Sequence, residues 1–329
     1  MKVLILASQK RHELFAPDIP IRKQAELVFC DRNGTSDDFL AAGADADALF
    51  VSPTTSVPRS MIEQMPNLRM IHSQGVGFDR IDLKAAEERG VYVCNNAGCN
   101  APAVAELTIM LMTMLLHRIL WGNHMVRTGR QKDALAAMET DIPSDLSLSS
   151  IGLIGFGHTA QATAARLRPY GCKLYYYSHH RSSLNLEEQF GVKYLSLYEL
   201  AKTCDIVSLH LPANADSLHL IDENFLYHMK PTAFLVNTAR GAIIDDDALC
   251  QALRNGTIAG AALDVYSPEP ATANHPLVKL ANEFPDRLIL SPHQGGISKT
   301  AFYMAHTMLF TNLQRLADGK RPERIVNGL

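Results

Sequence analysis

Short runs of apolar residues recur along the chain and are separated by stretches with helical spacing. In the first hundred residues these runs cover 3–7, 27–30, 48–52, 68–72 and 91–94, with helical patterns at 58–65 and 83–89. Runs of four to eight apolar residues bounded by turn signals are typical of strands in a sheet that helices cover. The alternation therefore predicts a small doubly wound α/β domain.

A second alternation of the same kind follows. A helical pattern at 100–117 leads out of the first domain, and we expect the polar residues 127–150 to form an irregular connection. Residues 298–317 repeat apolar positions at helical spacing and are expected to pack on the first domain. The apolar runs predict strands at 151–154, 173–177, 193–195, 205–209, 233–237, 258–263 and 288–290, in a second parallel sheet with helices on both faces.

The strand at 151–154 leads into the turn around which the second domain is organised. Gly155 permits a tight turn, Gly157 lets backbone amides approach a phosphate, and small Ala160 lets a helix starting near Thr159 pack closely on its strand. A helix N-terminus adds unpaired N–H groups and a partial positive charge. Strand, glycine turn and helix in this order predict a dinucleotide-binding site.

The end of the next strand bears on which dinucleotide is bound. A site for NAD usually places Asp or Glu there to hold the ribose hydroxyls, whereas this chain has Ser178, His179, His180 and Arg181. A hydroxyl, two imidazoles and a guanidinium can pair with the 2′-phosphate of NADP. We expect NADP(H) to be favoured over NAD(H); the alternative is a polar turn that faces water, with NAD held by other contacts.

Composition narrows the class of protein. The chain has 329 residues, 47% of them hydrophobic, which is enough for two cores, and its formal net charge is −3 without a basic block, so nucleic acid is not an expected partner. Six cysteines show no metal-binding spacing, which predicts reduced thiols in a cytoplasmic protein and no metal site. The first apolar run is too short for a signal peptide, and the apolar residues 107–116 are too few for a membrane span.

Three loops at strand ends carry groups suited to catalysis. Arg240 follows one buried strand, Glu269 lies between Pro268 and Pro270 after the next, and His293 follows the last. Each residue alone has an ordinary explanation. The arginine can form a structural ion pair, the glutamate can be a solvated surface charge, and the histidine can be an ordinary loop residue whose hydrogen bonds are satisfied. Together they supply a cation for a substrate, a proton donor for a developing alkoxide, and a carboxylate that orients the imidazole.

The first domain contributes a glycine-rich loop. Residues 73–79 follow the strand at 68–72, where open α/β sheets bind ligands, and the backbone amides there can receive a carboxylate. A plain β-to-α turn is the simpler interpretation from these residues alone.

The chain resembles the D-isomer-specific 2-hydroxyacid dehydrogenase family over nearly its whole length. The resemblance is carried by several blocks in order, which are Gly75 to Asp82, Asn100 with Val104 to Leu107, Gly155 to Gly157, Leu209 to Pro212, Asn237 to Gly241, Asp264 to Tyr266 with Glu269 and Pro270, and Ser291 to His293. Residues 178–181 resemble those of the NADP-preferring glyoxylate and hydroxypyruvate reductase branch. This resemblance implies an oxidoreductase that interconverts small 2-oxoacids and D-2-hydroxyacids.

The resemblance also implies a role for each matching position. His293 would be the acid and base with Glu269 as its partner, and Arg240 would bind the oxoacid together with the amides of Val76 and Gly77. A flavodoxin-like substrate domain (residues 1–98 and 298–329) would hold an inserted Rossmann-type cofactor domain (99–297) that pairs two chains in a homodimer. The implied cofactor contacts are Gly155, Phe156, Gly157, His158, Thr159, Ser178, His179, His180, Arg181, His210, Leu211, Pro212, Thr238, Ala239, Arg240, Asp264, His293 and Gly295.

The chain departs from the family pattern at a few positions. Thr159 stands where an apolar residue is usual, Gln294 follows the histidine where an aliphatic residue is common, and Ser149 with Ser150 replaces Gly-Lys. Residues 52–57, Phe78 and Gln294 are expected to line the substrate pocket, without identifying the substrate.

Two rival functions share this scaffold. Formate dehydrogenases place Gln beside the catalytic histidine, so Glu269 speaks against that activity. A non-enzymatic, corepressor-like dinucleotide sensor would keep the same three residues, so the triad alone does not exclude it. Turnover of any 2-oxoacid separates the sensor from an enzyme.

Overall fold

A computed structural model describes all 329 residues, and the chain folds as two compact units. Unit 1 contains Met1–Asn100 and Ile297–Leu329, and unit 2 contains Ala101–Gly296. The chain thus leaves unit 1, builds unit 2 and returns.

Unit 1 is built on a five-stranded parallel sheet with the strand order β2-β1-β3-β4-β5. This is the order of flavodoxin-like folds, and it confirms the predicted doubly wound architecture. The central strands are apolar on both faces because helices cover both. The strands are β1 (Lys2–Leu6), β2 (Glu26–Cys30), β3 (Ala48–Val51), β4 (Met70–Ser73) and β5 (Tyr92–Cys94).

Alternate residues of each central strand serve two separate cores. In β1, Leu4 and Leu6 face one core, whereas Val3 and Ile5 face another that includes Leu309 and Phe310 of the C-terminal helix. That helix packs on unit 1, as its apolar spacing predicts. The helices of unit 1 are α1 (Gln9–Phe15), α2 (Pro20–Gln24), α3 (Ser36–Gly43), α4 (Arg59–Glu63), α5 (Leu83–Glu88) and α15 (Lys299–Ala317). The helix α15 is the last in the chain, and α6 to α14 belong to unit 2.

Unit 2 is built on a seven-stranded parallel sheet with the order β12-β11-β10-β9-β6-β7-β8. The order reverses beside β6, so the ends of β6 and β9 frame the crevice in which such sheets bind dinucleotides. The apolar runs predict seven strands, and all seven are present. They are β6 (Ser150–Ile154), β7 (Lys173–Tyr177), β8 (Val192–Tyr194), β9 (Ile206–Leu209), β10 (Phe234–Asn237), β11 (Gly260–Leu263) and β12 (Leu288–Leu290).

Helices cover both faces of this second sheet. Asp245 caps one of them by accepting hydrogen bonds from the amides of Asp247 and Ala248, each 3.0 Å long. The helices are α6 (Ala101–Leu116), α7 (Ile119–Arg127), α8 (Gln131–Met138), α9 (His158–Leu167), α10 (Leu184–Phe190), α11 (Leu197–Thr203), α12 (Glu223–His228), α13 (Asp246–Asn255) and α14 (Pro276–Glu283).

The expected irregular connection at 127–150 is wrong in part. The structure has helix α8 at Gln131–Met138 and a short 3₁₀ turn at Leu146–Leu148. The residues of α8 read QKDALAAM and are mostly strong helix formers. Its small alanines give little periodicity of large apolar residues, so the hydrophobic pattern does not reveal the helix.

No single helix has the length and hydropathy of a membrane span. Only the consecutive helices α6 and α7, bent by 60° where they meet, reach those values together.

Candidate active site

The turn after β6 has a backbone that only glycine accommodates. Gly155 has a φ of +90°, and a Cβ on it would lie 2.6 Å from the carbonyl oxygen of His210. The left-handed conformation and the close approach of the loop after β9 therefore both require glycine. This turn brings the residues after β6 directly against His210.

The N-terminus of α9 is open for an anion. Gly157 is its N-cap residue and provides no side-chain hydrogen bond, and no atom lies within 4 Å of the position that a Cβ on Gly157 would take. Ala160, in the first turn of the helix, is fully buried. Free amides, a helix dipole and open space fit the pyrophosphate of a dinucleotide. The helix begins at His158, one residue before the predicted Thr159.

The loop after β7 presents polar side chains to solvent, and one of them is already paired. His179 and His180 are exposed, and the Ser178 hydroxyl donates to the carbonyl of His180 at 2.5 Å. Arg181 donates two hydrogen bonds to the buried carboxylate of Glu187, at 2.8 and 3.0 Å. The arginine nevertheless keeps 56% of its side-chain surface exposed, so its orientation is fixed while one edge remains available.

His210, after β9, carries a buried nitrogen without a partner. Its Nε2 lies 2.9 Å from the Ser208 hydroxyl, whereas its Nδ1 makes no hydrogen bond. Burial lowers the pKa of His210 to about 3, so the ring is neutral at physiological pH. The neighbouring Leu211 is half-buried and Pro212 is exposed.

Glu269 and His293 form the pair that the sequence predicts. Glu269 Oε2 lies 2.7 Å from His293 Nδ1, and Glu269 Oε1 accepts a hydrogen bond of 2.9 Å from the amide of Tyr266. The carboxylate is therefore fixed at both oxygens. His293 has a φ of +53° and a side chain that is 48% exposed, so its ring projects from the loop with Nδ1 engaged and Nε2 free.

Asp264 fixes the loop that carries His293 through hydrogen bonds. It is 2% exposed, and it accepts hydrogen bonds from the Ser291 hydroxyl, the Gln294 amide and the Gly295 amide at 2.6, 2.9 and 2.8 Å. Both carboxylate oxygens are thus engaged by the segment that surrounds His293. The predicted contact of Asp264 with a cofactor stays a prediction.

Arg240 lies on a loop that is packed against the loop of Glu269. Asn237, fully buried at the end of β10, donates to the carbonyl of Arg240 at 2.9 Å, and a Cβ on Gly241 would lie 2.0 Å from the carbonyl carbon of Tyr266. This contact brings the two loops together. Thr238 is anchored on α6 by a hydrogen bond of 2.9 Å between its hydroxyl and that of Thr108.

In unit 1, the loop after β4 leaves two backbone amides free. The Ser73 hydroxyl donates to the carbonyl of Gly77 at 2.6 Å, and Asn95 donates to the carbonyl of Val76 at 2.8 Å. The amides of Val76 and Gly77 have no acceptor within the chain. A Cβ on Gly75 would lie 2.4 Å from Pro53, so the loop is held tightly in this form. Such amides suit a carboxylate.

Comparison with known proteins decides the family. The model of the D-isomer specific 2-hydroxyacid dehydrogenase NAD binding domain matches residues 109–295, more than half of the chain. The chain belongs to the D-isomer-specific 2-hydroxyacid dehydrogenase family. It is 36% identical to a glyoxylate reductase of Thermococcus litoralis over 285 residues, which are 86% of this chain and 84% of the relative.

Solved structures agree with the fold. The TT0316 protein from Thermus thermophilus superposes with a TM-score of 0.83 at 29% identity, covering 99% of this chain and 100% of that one. The D-mandelate dehydrogenase of Rhodotorula graminis gives a TM-score of 0.83 at 27% identity, covering 99% and 97%. This 2-hydroxyacid dehydrogenase is therefore an oxidoreductase that uses a nicotinamide cofactor to interconvert 2-oxoacids and 2-hydroxyacids.

Some supporting residues of the site are absent from the sequence-based prediction. Glu187 fixes Arg181, and the hydroxyl of Tyr266 donates to the carbonyl of Ser291 at 2.7 Å. Glu187 lies 6 residues from Arg181 and Tyr266 lies 25 residues from Ser291, and nothing in the local sequence pattern indicates either contact. Gly155 and Gly241, each of which closely approaches a neighbouring loop, are local signals in the sequence that two loops meet.

Proposed function

We propose that this dehydrogenase reduces glyoxylate and similarly small 2-oxoacids with NADP(H), with His293 as the acid and base. The observation that carries the proposal is the hydrogen bond of 2.7 Å between Glu269 and His293, on loops at the carboxyl edge of the dinucleotide-binding sheet. The curated relatives named glyoxylate reductase support the choice of substrate.

The geometry suggests a task for each residue in reduction. A nicotinamide cofactor held at the glycine turn of Gly155 and Gly157 would supply the hydride that the carbonyl carbon receives. Glu269 accepts a hydrogen bond from Nδ1 of His293, which leaves Nε2 to donate its proton to the carbonyl oxygen as charge develops there. Arg240 binds the carbonyl and carboxylate oxygens as a cation. In the reverse direction, His293 Nε2 receives the hydroxyl proton.

The amides of Val76 and Gly77 are proposed to bind the carboxylate of the substrate. Their carbonyls are tied back by Asn95 and Ser73, so the free N–H groups are already oriented when the substrate arrives. Such preorganisation reduces the cost of ordering the loop on binding. Unit 1 would then act as the substrate domain and unit 2 as the cofactor domain.

The preference for NADP(H) over NAD(H) is proposed from the residues that follow β7. Position 178 carries a serine where an NAD site usually has Asp or Glu. His179, His180 and Arg181 offer hydrogen-bond donors to a 2′-phosphate. The remaining predicted contacts of the cofactor belong to this proposal, and they are those with Gly155 to Thr159, His210 to Pro212, Thr238, Ala239, Arg240, Asp264, His293 and Gly295.

A homodimer located in the cytoplasm is also proposed. Unit 2 exposes several large apolar side chains on α7 and on the segment between α7 and β6, which a second copy can cover. They are Val126, Leu135, Ile142 and Leu148, at 58%, 59%, 75% and 79% exposure. Sedimentation of the purified protein tests the dimer, and a monomer at micromolar concentration would contradict it.

The activity is tested by following NADPH and NADH oxidation with glyoxylate, hydroxypyruvate, pyruvate and phenylpyruvate. We expect turnover with the smallest oxoacids, and His293→Ala should lower kcat by about 10²–10⁴-fold while NADPH binding is retained, because only the proton donor is removed. The exposed His124→Ala in α7 is the control and should keep full activity.

The result also separates the rival functions. Oxidation of formate by the wild-type protein would favour a formate dehydrogenase, against which Glu269 speaks. A dinucleotide sensor would bind NADPH and turn over no oxoacid, and near-normal turnover by His293→Ala would show that the assigned mechanism is wrong.

A further inference from the structure

Unit 1 contains a cavity that the proposed reaction does not use. It has a volume of about 570 Å³ and is lined by Ala7, Ser8, Arg11, Asp31 and Arg32. Ala7 and Ser8 follow β1, Arg11 lies on α1, and the other two follow β2. The cavity thus lies at the carboxyl edge of the sheet, where open α/β sheets bind ligands.

Arg11 is half-buried in this cavity without a partner of opposite charge. Its guanidinium stacks on the ring of Phe302, 5.0 Å from the ring centroid, but it forms no ion pair and donates no hydrogen bond to the chain. Burial, and then the nearby charge of Arg32, lower the pKa of Arg11. A guanidinium has five N–H donors, and buried donors usually have acceptors.

The second arginine is equally unengaged. The side chain of Arg32 is exposed and forms neither an ion pair nor a hydrogen bond, and only its backbone carbonyl accepts one, from Thr55. Asp31 forms no ion pair with either arginine; its carboxylate accepts a hydrogen bond of 3.0 Å from the amide of Asn33 in its own loop. Two guanidinium groups and one carboxylate therefore line the cavity, which leaves an excess of positive charge, and an anion bound between the arginines would relieve their repulsion.

We propose that this cavity binds an anionic group, a phosphate or a carboxylate, through Arg11, Arg32 and the hydroxyl of Ser8. Guanidinium groups hold both kinds of anion through paired N–H donors, and the stacking of Arg11 on Phe302 fixes the plane of one of them. Ser8 adds a neutral donor that suits either ligand.

The sheet order separates this cavity from the loop of Val76 and Gly77. That loop follows β4, which is two strands away from β1 and three from β2. With about 4.8 Å between neighbouring strands, the two places are roughly 10–14 Å apart. A two- or three-carbon oxoacid does not span this distance. The anionic group belongs either to a separate small ligand or to the far end of an elongated oxoacid; only the latter source rests on the proposed function.

Calorimetric titration with inorganic phosphate tests the site directly. Arg32→Gln and Arg11→Gln should each weaken phosphate binding about tenfold, which is about 1.4 kcal/mol. Lys10→Gln removes one charge from an exposed position of α1 that does not line the cavity, and it should leave the affinity unchanged. Phosphate bound at the glycine turn of unit 2 is not affected by these substitutions, so only the component lost in the variants is counted.

The same titration with glyoxylate and with 2-oxoadipate, each in the presence of NADP⁺, distinguishes the source. If the anionic group is the far end of a substrate, Arg32→Gln lowers the affinity for 2-oxoadipate about tenfold and leaves the affinity for glyoxylate unchanged. The proposal would be overturned if neither phosphate nor 2-oxoadipate bound detectably. It would also be overturned if both ligands bound with the same affinity to the wild type and to the two variants. Since Arg32 lies in an exposed loop, its variant decides the matter even if Arg11→Gln does not fold. Absence of turnover, by contrast, would count against the proposed function alone.

Discussion

Ser178 is the residue on which the choice between the two dinucleotides is most directly tested. It follows β7 immediately, where a carboxylate would hold the ribose of NAD and repel the 2′-phosphate of NADP. Arg181 is a less direct test, because it also satisfies the buried Glu187 and its removal would leave that carboxylate with only the hydroxyl of Tyr176. A loss of stability would then accompany any loss of affinity.

Ser178→Asp should lower kcat/KM for NADPH by about tenfold or more and change the value for NADH less, since a charge is placed beside a dianionic phosphate. The matched control is Ser183→Asp. Ser183 caps α10 by accepting from the amide of Leu186, and aspartate caps equally well, so the control adds the same charge without disturbing the fold. An unchanged ratio between the two cofactors in Ser178→Asp would contradict the proposed preference.

At the scale of elements, the strand ends position the catalytic groups through contacts between loops. Gly241 is the point at which the loop after β10 meets the loop after β11, and a methyl group there would lie 2.0 Å from Tyr266, well inside contact distance. Gly241→Ala must therefore push the loops of Arg240 and Glu269 apart. The amide of Tyr266 also donates to Glu269, so the displacement reaches the carboxylate that orients His293.

We expect Gly241→Ala to lower the free energy of unfolding by about 1–3 kcal/mol and to reduce kcat more than it changes NADPH affinity. Thermal denaturation and steady-state kinetics measure the two effects. Gly122→Ala in α7 is the control, because no atom lies within 4 Å of the added methyl group. Full activity in Gly241→Ala would show that the contact between these loops does not position the site.

The sequence predicts the strands of this protein better than its connections. Strands such as β3 are continuous apolar runs because both faces of a parallel sheet are covered, and such runs are visible without any knowledge of the fold. Helix α8 has little apolar periodicity, and its existence depends on helix propensity and on packing beside α7. The pair of Glu269 and His293 is predictable from chemistry, whereas the engagement of Asp264 by the loop around His293 depends on three-dimensional contacts that no local pattern records.

At the scale of the whole molecule, buried histidines make stability depend on pH. Burial lowers the pKa of His12 and of His72 to about 4 and that of His210 to about 3, from an ordinary value of 6.5. These rings stay neutral in the folded protein, whereas in the unfolded chain they bind protons below pH 6.5. Their stabilising effect is complete above that pH and is lost as the pH falls from about 6.5 towards 4.

Asp246 acts in the opposite direction. Burial raises its pKa to about 6, so between about pH 4 and 6 the folded protein binds a proton there that the unfolded chain does not. This proton uptake by the folded protein offsets the effect of one of the three histidines on the free energy of unfolding in that pH range. We therefore expect the free energy of unfolding to fall between about pH 6.5 and 5. The loss is on the order of 1–2 kcal/mol for each histidine whose effect Asp246 does not offset.

His12 allows this expectation to be tested one group at a time. Both of its ring nitrogens are buried without a hydrogen bond, and the ring packs edge-on against Phe29 and Phe310, at centroid distances of 5.2 and 5.3 Å. Phenylalanine can keep these contacts and cannot bind a proton. His12→Phe should therefore reduce the slope of unfolding free energy against pH by up to about 1.4 kcal/mol per unit between about pH 6 and 5. Denaturant titrations across this range measure the slope, with the exposed His124→Phe as the control; an identical slope in His12→Phe and the wild type would mean that His12 takes up no proton on unfolding.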